Sequence, residues 1–208
     1  MTRSQARIRN RRSPWLRLAL FSAAAGLFLL GYYWGNQYKR PDLSGVETAI
    51  LLRPSLQLPP FNATDQFGQP LTQERLLEHW SLLLIGSTGS QTTRAGLSLI
   101  TRIFNRLAVH PELQDALHPI LLSPDPEQDG SDRLLDTVHV YNPTLTAATG
   151  PAQELSELMT TLGAQVDGPS TLYLIDPQGR AVALFTTSQD PAAVARDIQR
   201  IMGVTPDM

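Results

Sequence analysis

Four histidines, a hydroxyl-rich turn and one acidic loop are the side chains in this 208-residue chain whose types invite chemistry, and cysteine is absent. Without cysteine there is no disulfide scaffold, thiol-disulfide exchange, thiolate nucleophile or thiolate metal ligand. His79, His110, His118 and His139 form no H-x-x-x-H pair, and without ligand spacing all four read as loop or surface residues. Met159 and Met202 fall at helical core spacing and read as packing. The stretch DPEQDGSDRLLD puts Asp125, Glu127, Asp129, Gly130 and Asp136 at positions 1, 3, 5, 6 and 12 of a calcium loop. It fails in detail. Pro126 stiffens the entry, Asp132 takes the apolar position, the twelfth residue is Asp rather than a bidentate Glu, and no entering helix precedes it. GSTGSQ is not a nucleophile elbow, since Thr88 stands where the serine belongs, and it lacks the Gly-Lys-Ser/Thr ending of a phosphate loop. Ser87 and Ser90 have no partner base, so the chain is not read as an enzyme.

The elements that must position these residues are legible in the apolar pattern. LLLIG (82–86) and HPILLS (118–123) are continuous apolar runs, as expected of strands buried on both faces. Leu97, Ile100, Ile103, Phe104 and Leu107 recur at helical spacing over 95–109, and SDRLLDTVHVY and QELSELMTTLG read as two further helices, the second closed by Gly163. FNATDQFGQPLT reads as a hairpin turning near Gly68, and Thr72 as the cap of a short helix in QERLLEHW. LTAAT, TLYLID and AVALF are strands, and a last helix runs from Asp190 or Pro191 to Met202, with Asp190 as cap. Strands alternating with helices and then a final hairpin describe an α/β domain with central parallel pairing and an antiparallel edge. The expected fold is thioredoxin-like, a central mixed sheet flanked by helices.

Charge divides the chain. Residues 1–40 hold eight basic side chains and no acid, while the remainder carries a net -10, and the whole sums to -2. Between Arg17 and Lys39 lie 21 residues without formal charge, which as a helix would be about 31 Å long, enough to span a bilayer core. Arg3, Arg7, Arg9, Arg11, Arg12 and Arg17 precede it, and Trp15, Tyr32, Tyr33 and Trp34 sit near its ends. The expectation is a single N-terminal transmembrane anchor with its arginine side in the cytoplasm and the body in the periplasm. A cleaved signal peptide is the competing reading, but LFLLGYYW would then remain as an exposed apolar stub. No basic stripe continues into the body, so nucleic acid is not an expected partner. The expected organisation is a basic segment 1–17, an anchor 18–38, a tether 39–60 carrying a short edge strand in ETAILL, the α/β domain 61–203 and a tail 204–208.

The strings PFNATDQFGQPLT, HWSLLLIGSTGSQTTRA, ILLSPDPEQDGSDRLLDTVHVYNPTLTAATG, ELSELMTTLGAQV and VDGPSTLYLIDPQGRAV resemble, in order, the blocks of the SCO/SenC family. That resemblance implies a thioredoxin-like domain behind a membrane anchor, outside the bacterial inner membrane or in the mitochondrial inner membrane, assisting assembly of the copper centre of haem-copper oxidases. The family holds copper through a Cys-x-x-x-Cys and a distant His. The resemblance places these positions on Ser90, Arg94 and Gly168. A hydroxyl is a poor Cu(I) ligand, Arg only donates and brings positive charge, and Gly has no side chain, so no copper cofactor is expected. Arg94 is then a candidate anion or partner contact, or a partner for Asp167. The expected role is a non-catalytic partner of an oxidase subunit or copper-centre assembly protein. Alternatives are copper delivery through unconventional ligands and an anion- or small-molecule-binding sensor module at Ser90, Arg94 and Gly168.

Overall fold

The computed structural model describes residues 14–37, 45–165 and 168–203. The chain divides into two compact units, Met1–Arg40 and Pro41–Met208. In the first, α1 (Pro14–Gln37) is a 24-residue helix with no acid in its first turn and no base in its last. Among the described residues no helix is long and apolar enough to cross a membrane. Side chains of α1 are described at Trp15 and 20–31, a shorter stretch than the expected anchor 18–38.

The second unit is built on one eight-stranded sheet: β1 (Ile50–Gln57), β2 (Asn62–Asp65), β3 (Pro70–Thr72), β4 (Trp80–Ile85), β5 (Leu117–Ser123), β6 (Thr146–Thr149), β7 (Thr171–Ile175) and β8 (Arg180–Thr186). Their order is β1-β8-β7-β4-β5-β6-β2-β3. Parallel pairing is confined to β4-β5-β6, and the other pairs are antiparallel, giving the expected mixed sheet. The helices are α2 (Gln91–Leu107), α3 (Pro111–Ala116), α4 (Ser131–Tyr141), α5 (Ala152–Leu162) and α6 (Pro191–Ile201).

Alternation along the central strands divides the core in two, because successive side chains leave a strand on opposite faces. Leu82 and Leu84 join Leu97, Ile100 and Phe104 of α2, Leu134 and Val138 of α4, and Val194 and Ile198 of α6 on one face. Leu83 and Ile85 face Leu155, Leu158 and Leu162 of α5 and the segment carrying Leu58, Phe61, Leu71 and Leu76. Each such leucine removed from water contributes about 1.5–3 kcal/mol against the entropy of ordering it.

Several local expectations meet a physical detail. Asp190 caps α6, its carboxylate accepting from Ala193 N at 3.1 Å. Gly163 closes α5 in the left-handed region at φ 66. Asp65 holds the β2–β3 turn by accepting the Phe67 and Gln69 amides, and Arg75 donates to its other oxygen at 3.0 Å. Thr72 precedes only a 3-10 turn (Gln73–Leu76), with no side-chain capping bond. The chain joins the sheet at Ile50, inside the expected tether 39–60, and its strand runs past the expected ETAILL to Gln57. Pro54 is accommodated there because β1 is the sheet edge, where a missing N–H costs no ladder bond. Residues 45–49 are fastened to the body. Asp197 of α6, 1% exposed, accepts from Glu47 N, Thr48 N, Thr48 Oγ1 and Ala49 N at 2.6–3.2 Å. Arg200 donates to the Gly45 carbonyl.

Candidate functional site

β4 ends at Ile85, and the chain passes through Gly86, Ser87, Thr88 and Gly89 into α2, so the turn lies at the carboxyl end of the parallel strands. Ligands of open α/β sheets bind outside this end. Local contacts fix the turn closely. A Cβ on Gly86 would run into Thr93 Oγ1, and one on Gly89 into Gln128 Oε1. Ser87 Oγ donates to Gln128 Oε1 at 2.5 Å.

Asp129 organises the adjoining loop. It is fully buried and accepts from Thr88 N at 2.9 Å, from Thr88 Oγ1 at 2.5 Å and from Ser123 Oγ at 2.5 Å. Arg133 Nε donates to Thr88 Oγ1 at 2.8 Å and stands 3.7 Å from Asp129 Oδ1. Both oxygens of this carboxylate are thus engaged with hydroxyls and an amide, which stitch the exits of β4 and β5 together. Glu127 and Asp136 of the same acidic stretch are exposed. In the sequence Asp129 stands out only as a calcium-loop position, because its partners Thr88 and Ser123 come from the two strand ends and share no spacing with it.

Ser90 is the residue before α2 in extended backbone, φ -74 and ψ 137. Its hydroxyl makes no capping bond and pairs instead with Thr92 Oγ1 at 2.8 Å. Arg94 lies one turn on, exposed, and its guanidinium donates to the Gly89 carbonyl at 2.9 Å. Asp167, its expected partner, lies outside the described residues. Gly168 donates its amide to Gln165 O at 3.2 Å, and a Cβ there would sit 2.9 Å from Gln165 Cβ. The segment carrying Gly168 reaches α2 two residues later, where Ser170 Oγ would lie 2.6 Å from a Cβ on Gly96. The three positions therefore belong to neighbouring segments. They open onto different recesses. Arg94 lines a groove of about 560 Å³ with Thr88, Asp132, Arg133 and Asp136, while the neighbours of Gly168 line a recess of about 150 Å³ between Ile85 and Tyr173. In the groove two arginines face two aspartates, so its charge is balanced rather than positive. Burial pushes the Tyr173 phenol up from its ordinary value, with a Thr171 hydrogen bond acting the other way, which keeps it neutral at physiological pH.

His79 and His118, expected as loop or surface residues, are both exposed, and they stack with ring centroids 4.7 Å apart and planes at 20°. The parallel register pairs Trp80 with Leu117 and Ser81 with His118, so His79 and His118 are diagonal neighbours on one face of the sheet. The signal available was a histidine at the entry of each of two successive buried strands. Burial and the charge of His79 lower the His118 pKa, and a hydrogen bond to the Asp115 backbone opposes this. His110 stands 3.6 Å from Glu112. Among the described residues no three His, Cys, Asp or Glu side chains converge as a metal-holding group.

Solved structures share this fold. The solved structure of Bradyrhizobium japonicum ScoI with copper bound is 24% identical, with a TM-score of 0.58 over 70% of this chain and 99% of that one. Yeast Sco1 is 22% identical, with a TM-score of 0.63 over 75% of this chain and 100% of that one. At these identities the likeness shows the fold. Among curated relatives, the mitochondrial SCO2 homolog of Danio rerio is 24% identical over 84% of this chain and 67% of its own length. The mitochondrial SCO1 homolog of Homo sapiens is 24% identical over 88% of this chain and 65% of its own length. The chain thus spans about two thirds of those relatives. The family model SCO1/SenC matches residues 52–203, from within β1 to the end of α6, and over that extent the chain belongs to the SCO1/SenC family.

Proposed function

We propose that this protein is a membrane-tethered SCO1/SenC member whose copper-ligand positions no longer bind Cu(I), and that it serves respiratory oxidase assembly as a non-catalytic partner. The observation that carries the reading is the pairing of family membership with Ser90, Arg94 and Gly168 at the positions where the family's ligands are expected, in a chain with no cysteine. Relatives with the same fold include ScoI and Sco1 with copper bound, and BsSco, a member of the Sco family of cytochrome c oxidase assembly proteins. The ligand chemistry here is different. Two soft thiolates and an imidazole suit Cu(I), whereas a hydroxyl beside a guanidinium does not, since the fixed positive charge of Arg94 opposes a cation. What the fold retains at this pole is a turn braced by Asp129, suited to presenting a fixed surface.

The tether belongs to the same proposal. The 21-residue uncharged run 18–38 follows six arginines, and that bias supports a head in the cytoplasm and an α/β domain in the periplasm. The partner is an oxidase subunit or a copper-centre assembly protein. The balanced charge of the Arg94 groove gives an anion-binding sensor no support.

The test joins a deletion strain to a titration. Loss of the gene is expected to lower oxidase activity and copper-centre occupancy at limiting copper, while the purified chain takes up no Cu(I) in competition with a chelator of sub-micromolar affinity. Normal oxidase activity and copper occupancy in the deletion strain would remove the assembly role. Stoichiometric Cu(I) uptake would restore a delivery role.

A further inference from the structure

The end of the sheet opposite the Ser90 turn carries a feature the assembly role does not use. β4 and β5 enter the sheet side by side, Trp80 paired with Leu117, and His79 just before β4 stacks on His118, the second residue of β5. We propose that His79 and His118 form a two-imidazole site for a borderline divalent transition-metal ion, completed by water.

The separation of the rings suits this chemistry. A metal at about 2.0–2.1 Å from an imidazole nitrogen lies about 3.2 Å from the ring centre, so two such rings at 90–109° around one ion have centres roughly 4.5–5.2 Å apart. The observed 4.7 Å belongs to the stacked pair, and it brings the two side chains close enough to reach one ion once a ring turns. The rings now stack at 20°, and binding requires the exposed His79 side chain to turn so that its lone pair meets that of His118. That rotation displaces no core residue, and the backbone separation is already set by the strand register. His118 also lines a cleft of about 580 Å³ with Asn105, Gln114, Asp115, Asn142 and Thr144, a polar wall through which water reaches the position.

Ligand type narrows the ion. Neutral imidazole suits zinc, copper and nickel, and for a given nitrogen site copper(II) binds most tightly. Magnesium and calcium prefer oxygen ligands and are excluded. With only two protein ligands the affinity is expected to be modest for copper(II) and weaker for zinc.

The experiment uses the full chain in detergent micelles with copper(II) as the probe. One equivalent is expected to bind, with hyperfine coupling to two nitrogens in the electron paramagnetic resonance spectrum. His79→Gln and His118→Gln should each weaken binding at least tenfold and remove one nitrogen coupling. A His110→Gln/His139→Gln double variant should bind as the parent does. Thermal unfolding without metal checks that each variant is folded, and a copper-induced rise in Tm of the parent should vanish in both single variants. Unchanged affinity in H79Q and H118Q would overturn the proposal, as would no stoichiometric binding by the parent at 100 µM copper(II). Oxidase activity is not among the readouts, so failure here leaves the assembly reading standing.

Discussion

Asp129 shows what a single side chain contributes at the carboxyl end of the sheet. A buried carboxylate is costly unless hydrogen-bonded, and this one collects two hydroxyls and an amide, with Arg133 at its edge. Asp129→Asn keeps the shape but turns an amide N–H₂ toward donors. It is expected to cost about 2–3 kcal/mol, seen as a lower urea midpoint at unchanged m, with the greatest gain in amide exchange at 86–90. An unchanged midpoint would mean that the turn is held without the carboxylate. At this scale the sequence was legible for composition. The absence of cysteine could be read directly, because it needs no geometry, whereas Ser90, Arg94 and Gly168 were placed only through the family resemblance. Asp129 and the His79–His118 pair were not legible, since each depends on residues that meet only through the pairing of β4 with β5. Asp197 is the second buried carboxylate with a structural task. Burial acts to raise its pKa, but hydrogen bonds from Thr48 Oγ1 and the amides of Thr48, Glu47 and Ala49 outweigh it, and the net value lies below 3.8. A carboxylate with a folded pKa below its unfolded one contributes stability that is present above the unfolded value and lost as pH falls through the folded one. Asp65, with Gln69, Phe67 and Arg75 opposing its burial, shifts the same way. Acid unfolding should therefore steepen as pH falls below 3.8, and Asp197→Asn should flatten that dependence while exposing amides 47–49 to exchange at neutral pH. Equal steepness in the variant would assign the acid response to other groups.

At the scale of elements, the helices and central strands were readable because each buries one face with an unambiguous period. The edges were harder. Prolines 54, 59 and 60 read as a tether, yet β1 pairs with β8 from Ile50 to Gln57, with a register shift between Leu51 and Leu56. The propensity of Pro54 was outweighed by tertiary context, since an edge strand pairs on one side only and the apolar residues Leu51 and Leu56 find the core there. Packing between α2 and the 168–170 segment depends on Gly96. A Cβ at that position would lie 2.6 Å from Ser170 Oγ and 2.8 Å from Leu84 Cδ2, closer than side chains approach. Gly96→Ala would gain about 1 kcal/mol of helix propensity and lose about 1–3 kcal/mol to overpacking, so the variant should be less stable despite its better helix former. Chemical denaturation checks the sign. A stabilised variant would show that Ser170 and Leu84 move aside readily and that the Gly168 segment is loosely held against α2.

The division of charge is a property of the whole molecule that no single element displays. A net charge of -2 conceals a head of eight basic residues and a body of -10. If the head were an interaction tail, neutralising it would change binding and leave location untouched. If it is the topological signal of an anchor, neutralising it should change which side of the membrane the domain occupies, because the bias of Arg and Lys flanking a span sets its orientation. Replacing Arg3, Arg7, Arg9, Arg11, Arg12 and Arg17 with Asn leaves Lys39 and Arg40 as the cationic flank, on the opposite side of the uncharged run. The expected outcome is a loss of uniform orientation, with a fraction of chains retaining the α/β domain in the cytoplasm. Reporters active on only one side of the membrane, fused after residue 208, measure that fraction. Carbonate extraction of the parent chain should leave it in the membrane pellet, and N-terminal sequencing should find the head intact. A parent released by carbonate, or one beginning near Gly26, would replace the anchor with a cleaved leader. In either case the copper chemistry would be unaffected, since the residues at the ligand positions lie in the α/β domain, which is a separate compact unit. Address and chemistry are thus tested separately in this chain, whose family fold is carried by a sequence without cysteine.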